Sequence, residues 1–196
     1  SAAEELLAGL TVRGRDPEVG ITVHEATITL RIVAQGATVD ETQQKIESTR
    51  ALIYERMGDY AFGEEDDELE HVVVRGLTAA GSRLGTAEVA TGGLLAHRLT
   101  EVHGSSGCFV GAVVLPADHI ASGASALLGD APERNVTGRD EAEWLARQCR
   151  ERTGADFALA VSAATHADDS EEKQVAPLVY VALADQSSVD VRELNV

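Results

Sequence analysis

The chain has 196 residues, of which 44% are hydrophobic and only 4% aromatic, and its 33 acidic and 16 basic residues give a formal net charge of -17. This length suits one large or two small domains, and a core built from small aliphatic residues is typical of α/β proteins. The charge disfavours binding to nucleic acid or to an anionic membrane surface, since both would repel the chain.

The first elements along the chain predict a small α+β module. Residues 26–33 alternate apolar and polar side chains, which is typical of a half-buried strand, and residues 20–23 predict a partner strand. Thr38 stands in the capping-box position relative to Glu41, so we expect a helix that runs to Met57. A short extended piece around residues 60–62 is expected to complete the module.

The rest of the chain predicts an α/β layer with a largely buried sheet. The acidic residues within 64–70 are expected to form a solvated helix start, because acids there suit the helix dipole. In the helix at 139–153, we expect Ala142, Leu145, Ala146 and Cys149 to be buried. Helices are predicted at 66–80, 94–102 and 139–153, and strands at 84–87, 108–115, 157–161, 177–184 and 188–194.

The two cysteines, Cys108 and Cys149, form no CxxC pair, so neither a zinc site nor a disulfide framework is expected. Reduced, buried thiols in a cytoplasmic protein are the expectation. The sequence has no apolar stretch of about 18 residues, so no membrane span is expected. Its first residues lack a signal peptide's positive and apolar regions, so none is expected there.

Two sets of residues could carry chemistry, one as metal ligands and one as a serine hydrolase. Asp118, His119, His166 and Asp168 lie in predicted loops, but they lack metal-ligand spacing, so we expect solvated loop residues, no metal and no cofactor. A serine hydrolase built from Ser162 or Ser105 with His103 is possible in principle, although sequence order does not test its geometry. Ser105 is expected to open a turn.

Four stretches carry a resemblance to a known family: residues 14–22, residues 58–63 with the acidic helix entry after them, residues 86–93 and residues 170–173. The most specific is 86–93, which reads Thr-Ala-Glu-Val-Ala-Thr-Gly-Gly. It is similar to Thr-Ala-Glu-Ser-Cys-Thr-Gly-Gly, the signature of the CinA family of nicotinamide-nucleotide amidases, and the four stretches follow the order that they have in that family.

The resemblance implies a fold and an activity. The implied fold is a KH-like α+β module at residues 9–65, followed by a CinA C-terminal-type α/β domain at residues 66–196 with a largely buried mixed sheet. The implied activity is the deamidation of nicotinamide mononucleotide (NMN) by a serine nucleophile, a lysine base and a nearby tyrosine. A homodimer is implied as well. The family's N-terminal molybdopterin-binding-like domain and its final helix have no counterpart in these 196 residues.

The sequence departs from the family at every one of these catalytic positions. The serine position is Val89, the tyrosine position is Pro116 and the lysine position is Ala121. The family's glycine-rich loop is replaced by residues 163–169, whose side chains and two aspartates hinder a phosphate from approaching the backbone. We therefore predict a member that is inactive toward NMN and acts in binding or assembly.

Several features of a ligand site are retained. Candidate residues for a nucleotide or phosphate ligand are Glu88, Thr91, Gly92, Gly93, Ser162 and Lys173. The structural interpretation of the motif at 88–93 is a helix cap and a tight turn, which is the interpretation we favour. The alternative function is an active amidohydrolase that acts on NMN or a related nucleotide through shifted residues such as Thr91 or His119.

Overall fold

The computed structural model describes residues 5–24, 27–89, 91–116, 127–129, 138–164 and 178–195. The chain divides into two compact units, Ser1–Leu69 and Glu70–Val196. Their helices and strands form a mixed α/β protein, which confirms the predicted fold class.

The first unit is a β-hairpin with one long helix. Strand β1 (Glu18–His24) pairs antiparallel with strand β2 (Thr27–Val33), and helix α1 (Val39–Met57) follows. Val19, Ile21, Leu30 and Ile32 share the face of the hairpin that packs on the core, because opposite residues of an antiparallel pair point to the same side. The core cluster of this unit consists of Leu7, Leu10, Val19, Ile53 and Met57.

Half of the predicted capping box of α1 is present. The Thr38 hydroxyl accepts a hydrogen bond from the Glu41 amide at 3.2 Å and so satisfies an amide that the helix leaves free. The Glu41 carboxylate accepts its bond from the Ala37 amide at 2.9 Å, one residue before the N-cap, and not from the Thr38 amide that a capping box uses.

Beyond α1 the structure differs from two predictions. Of the extended piece expected around 60–62, Tyr60 instead belongs to the 3₁₀ turn Gly58–Tyr60, which the Ala61 amide closes on the Gly58 carbonyl at 3.1 Å, while Ala61 itself has extended backbone. The acidic run precedes its helix, α2 (Leu69–Ala80), which begins three residues later than expected. Glu64 is held by the Arg50 guanidinium at 2.6 Å and the Tyr54 hydroxyl at 2.8 Å, so it binds to α1.

A five-stranded mixed sheet forms the second unit, in the spatial order β4-β3-β5-β6-β7. The first three strands in that order are parallel, and β6 and β7 are antiparallel to their neighbours. The strands are β3 (Leu84–Val89), β4 (Phe109–Leu115), β5 (Phe157–Ala164), β6 (Leu178–Ala184) and β7 (Val189–Asn195).

Helices cover this sheet on both faces. Helix α4 (Gly138–Thr153) packs on one face, and the four residues predicted to be buried in it are all fully buried. Helix α3 (Leu94–Glu101) and α2 contribute to a second cluster that includes Leu84 and Leu99. All six residues of β3 are buried between these layers, and their side chains alternate between the two faces. None of the described helices is both long and apolar enough to cross a membrane.

Candidate functional site

The signature motif lies at the carboxyl end of β3, where the chain turns into α3. Glu88 is the penultimate residue of the strand, and its side chain is 0% exposed. Its carboxylate accepts hydrogen bonds from the Leu95 amide at 3.0 Å and the Ala96 amide at 2.9 Å. The Thr91 hydroxyl donates to the same carboxylate at 2.7 Å.

Glu88 therefore caps α3 from the strand that precedes it. The first amides of a helix have no partner within the helix, and the helix N-terminus favours negative charge. A buried carboxylate meets both needs without any external ligand. An anion that bound these amides would have to displace Glu88.

The two glycines of the motif form the turn between strand and helix. Gly92 has a φ of 65° and Gly93 a φ of 89°, which is the left-handed region that favours glycine. The Leu94 amide donates to the Thr91 carbonyl at 3.3 Å and closes the turn. A Cβ added at Gly93 would lie 3.4 Å from a methyl of Val114, which is ordinary van der Waals contact, so the positive φ and not a lack of space favours glycine there.

Val89, which the resemblance places at the position of the family's serine, points to the opposite face of the sheet from Glu88. It is 0% exposed and belongs to the core cluster beneath α4. In the strand register it lies beside Leu115 of β4. The side chain at this position is therefore part of an apolar core and offers no group that attacks a carbonyl.

The other two catalytic positions offer no such group either. Pro116 is exposed and directly follows β4, so a residue without a hydroxyl stands in the tyrosine position. Ala121 lies outside the described residues. Lys173 also lies outside the described residues. So do all four residues considered above as possible metal ligands, Asp118, His119, His166 and Asp168. Within the described ranges, no group of three His, Cys, Asp or Glu side chains is arranged to hold a metal.

Ser162 lies in β5, one residue beyond the point where Val161 pairs with Glu88 of β3. It is 0% exposed, and its hydroxyl donates a hydrogen bond to the Glu141 carboxylate in the first turn of α4. Burial raises the pKa of Glu141, and the bond from Ser162 partly opposes that shift. The partner of Ser162 is thus a carboxylate and not His103.

The second serine of the weighed hydrolase has a structural role. Ser105 opens the 3₁₀ turn Ser105–Gly107, as the sequence predicts, and its carbonyl accepts the Cys108 amide at 2.9 Å. Sequence reasoning missed Glu141 as the partner of Ser162. The two are 21 residues apart, and the contact depends on how α4 packs on β5.

Comparison with known proteins gives two family matches that together cover nearly the whole chain. The CinA C-terminal domain family matches residues 66–196, and the damage-inducible protein CinA KH domain family matches residues 1–63.

Individual relatives agree with these matches. A CinA-like protein of Geobacter sulfurreducens is 31% identical over 84% of this chain and 40% of its own length. A CinA-like protein of Koribacter versatilis is 28% identical over 98% of this chain. The chain spans about half the length of the curated relatives it matches, for example 47% of the Koribacter protein.

Solved structures carry the same fold. The crystal structure of a competence/damage inducible protein from Agrobacterium tumefaciens is 29% identical to this chain, with a TM-score of 0.56 over 68% of this chain and 82% of that one. A CinA superfamily protein from Escherichia coli has a TM-score of 0.57 over 71% of this chain and 85% of its own, and its 21% identity supports a likeness in fold alone.

Proposed function

This chain belongs to the CinA family, and we propose that it is a member without amidase activity toward nicotinamide mononucleotide, which acts through binding or assembly. The observation that carries this proposal is the identity and burial of Val89. Amide hydrolysis by this family requires a hydroxyl nucleophile at that position, and a fully buried valine in an apolar cluster supplies none.

The hydroxyls of Thr91 and Ser162, both among the candidate residues, support the same conclusion. Thr91 donates its hydroxyl hydrogen to Glu88, whose carboxylate is already bound by two helix amides. Ser162 donates to Glu141 and is fully buried, so a substrate carbonyl has no access to its oxygen. A nucleophile must be accessible and paired with a base that is free to take its proton.

The retained motif has a structural role in this proposal. Glu88, Thr91, Gly92 and Gly93 hold α3 against the sheet through bonds made within the chain. Binding of a nucleotide or phosphate by these residues, with Ser162 and Lys173, stays a prediction. So does the division between the KH-like module at 9–65 and the domain at 66–196.

Assembly as a homodimer and a cytoplasmic location complete the proposal. Two free, buried cysteines are consistent with a reducing compartment.

The experiment follows ammonia release from nicotinamide mononucleotide by the wild-type chain, with Val89→Ala and Thr91→Val variants alongside. We expect all three to match a protein-free blank, while a relative that retains the signature serine serves as the positive control. Sedimentation velocity of the same samples measures whether the chain is a dimer.

Release by the wild-type chain that grows with protein concentration would overturn the proposal. If Thr91→Val then abolished the release, the alternative of an active amidohydrolase with a shifted nucleophile would be correct. A monomer at all concentrations would refute the homodimer without bearing on the amidase reaction.

A further inference from the structure

A groove of about 690 Å³ lies in the second unit, at the end of the sheet where β3 and β5 begin. The signature motif lies at the opposite end, where β3 finishes. Three segments form the groove: Ser82 before β3, the connection Gly154–Phe157 between α4 and β5, and the turn Asp185–Ser187 between β6 and β7. The last turn of α4 adds Arg150 and Glu151. Its volume falls within the range of small-molecule sites.

Arg150 presents donors to this groove that the protein does not use. Its Nε donates to the Asp156 carbonyl at 3.1 Å, which fixes the side chain across the α4–β5 connection. Its two terminal nitrogens have no hydrogen-bond or ion-pair partner within the described part of the chain. A fixed guanidinium with two free donors matches a carboxylate in geometry.

Asp156 presents the opposite charge in the same groove. One of its carboxylate oxygens accepts the Arg83 amide at 2.8 Å, and the other has no described partner. Its carboxylate is not within ion-pair distance of Arg150, although the backbone of Asp156 holds that side chain. The guanidinium of Arg150 and the carboxylate of Asp156 therefore both line the groove without pairing with each other.

The other two carboxylates of the lining are engaged within the protein. Asp185 accepts the amides of Ser187 at 2.6 Å and Ser188 at 2.7 Å, and these bonds hold its pKa at about 2. Glu151 accepts a bond from Gln148 at 3.3 Å. Three carboxylates and one guanidinium line the groove, and the Arg83 guanidinium lies beside it on the Gly154 carbonyl at 2.6 Å, so the net negative lining favours a ligand that carries positive charge as well as a carboxylate.

We propose that this groove binds a small zwitterion, with the ligand's carboxylate on Arg150 and its ammonium group on Asp156. A free amino acid is the simplest ligand of this class. This site is independent of the proposed function, because it lies at the opposite end of the strands from the signature motif and shares no residue with it.

The test is titration of the isotope-labelled full chain with glycine at millimolar concentrations, monitored by NMR. We expect shifts of the Arg150 Nε–H signal and of the Gln186 and Ser187 amides. Acetate and methylammonium, each with one of the two charges, serve as matched probes and should shift these signals far less. Arg150→Gln and Asp156→Asn should each weaken glycine binding by about tenfold, since each removes one charge-assisted pair.

Arg152→Gln is the control, because it makes the same charge change on an exposed side chain of the same helix turn and should leave glycine binding unchanged. Arg150→Lys retains the positive charge but lacks the two terminal donors of the guanidinium, so it should also weaken glycine binding. This variant keeps the test valid if Arg150→Gln perturbs the fold. Absence of shifts in the groove would overturn the proposal. Equal binding of acetate and glycine, or equal loss in the Arg152→Gln control, would overturn it as well.

Discussion

Removal of the Glu88 carboxylate should destabilise the second unit more than any exposed charge does. The side chain is 0% exposed and accepts three hydrogen bonds of 3.0 Å or shorter, from Leu95, Ala96 and Thr91. Glu88→Ala leaves those three donors without an acceptor and opens a cavity. An unsatisfied buried donor costs about 1–3 kcal/mol, and because these donors are only part-buried and water can reach them in the variant, we expect a total loss near the lower end, about 3–5 kcal/mol.

Glu88→Gln separates charge and acceptor number from side-chain size. The amide retains one carbonyl oxygen, but its NH₂ group faces donors, so we expect a loss of about 2–3 kcal/mol. The matched control is Glu101→Gln in the last turn of the same helix. That carboxylate is largely exposed, and its replacement should change stability by less than about 0.5 kcal/mol.

Urea unfolding followed by tryptophan fluorescence is the appropriate assay. The chain has one tryptophan, Trp144, which packs against the core cluster that contains Val89 and therefore reports on the second unit. If Glu88→Ala unfolded within about 1 kcal/mol of the wild type, the carboxylate would not be the cap of α3, and the structural role of the motif would be refuted.

Three further predictions concern titration and reactivity. Burial raises the pKa of Glu141 above its usual 4.5, so its contribution to stability is present below that value and is lost as pH rises through the higher folded-state pKa. The free energy of unfolding of Glu141→Gln, measured in urea, should therefore rise relative to that of the wild type from acidic to neutral pH. A difference that stays constant with pH would contradict this. Backbone and hydroxyl donors lower the pKa of Asp185 from 3.8 to about 2. Asp185→Asn should therefore lower the free energy of unfolding at neutral pH, and this loss should vanish as pH falls through about 2. A loss that acid-unfolding curves show to be independent of pH would refute this. Burial raises the pKa of Cys149 to about 11, so iodoacetamide should modify it only after unfolding, as mass spectrometry of native and urea-treated protein would measure; rapid modification of the native chain would contradict the burial.

Local signals in the sequence predicted most of the fold. The hydrogen bond from the Glu41 amide to the Thr38 hydroxyl is a contact between near neighbours, so its spacing is enough to predict it. The four buried residues of α4 follow from helical periodicity, since one face of that helix must cover the sheet. The start of α2 at Leu69 was not predicted by the acidic run, whose first residue, Glu64, is bound by Arg50 and Tyr54 of the preceding helix.

The candidate site was predictable only in part. A valine in the serine position can be read from the sequence, but its place in the core beneath α4 depends on the alternation of side chains along β3. The pairing of Ser162 with Glu141 depends on the packing of a helix on a strand, for which no sequence spacing exists. The groove at Arg150 and Asp156 requires three separate chain segments to meet.

A single-turnover experiment tests the central claim most directly, namely that this chain lacks amidase chemistry. Wild-type protein in excess over nicotinamide mononucleotide is incubated until a serine-containing relative has converted all of its substrate, and mass spectrometry then measures the amide and its acid product. The account predicts that the nucleotide remains entirely in the amide form. Formation of the acid at a rate that exceeds the protein-free blank would contradict it.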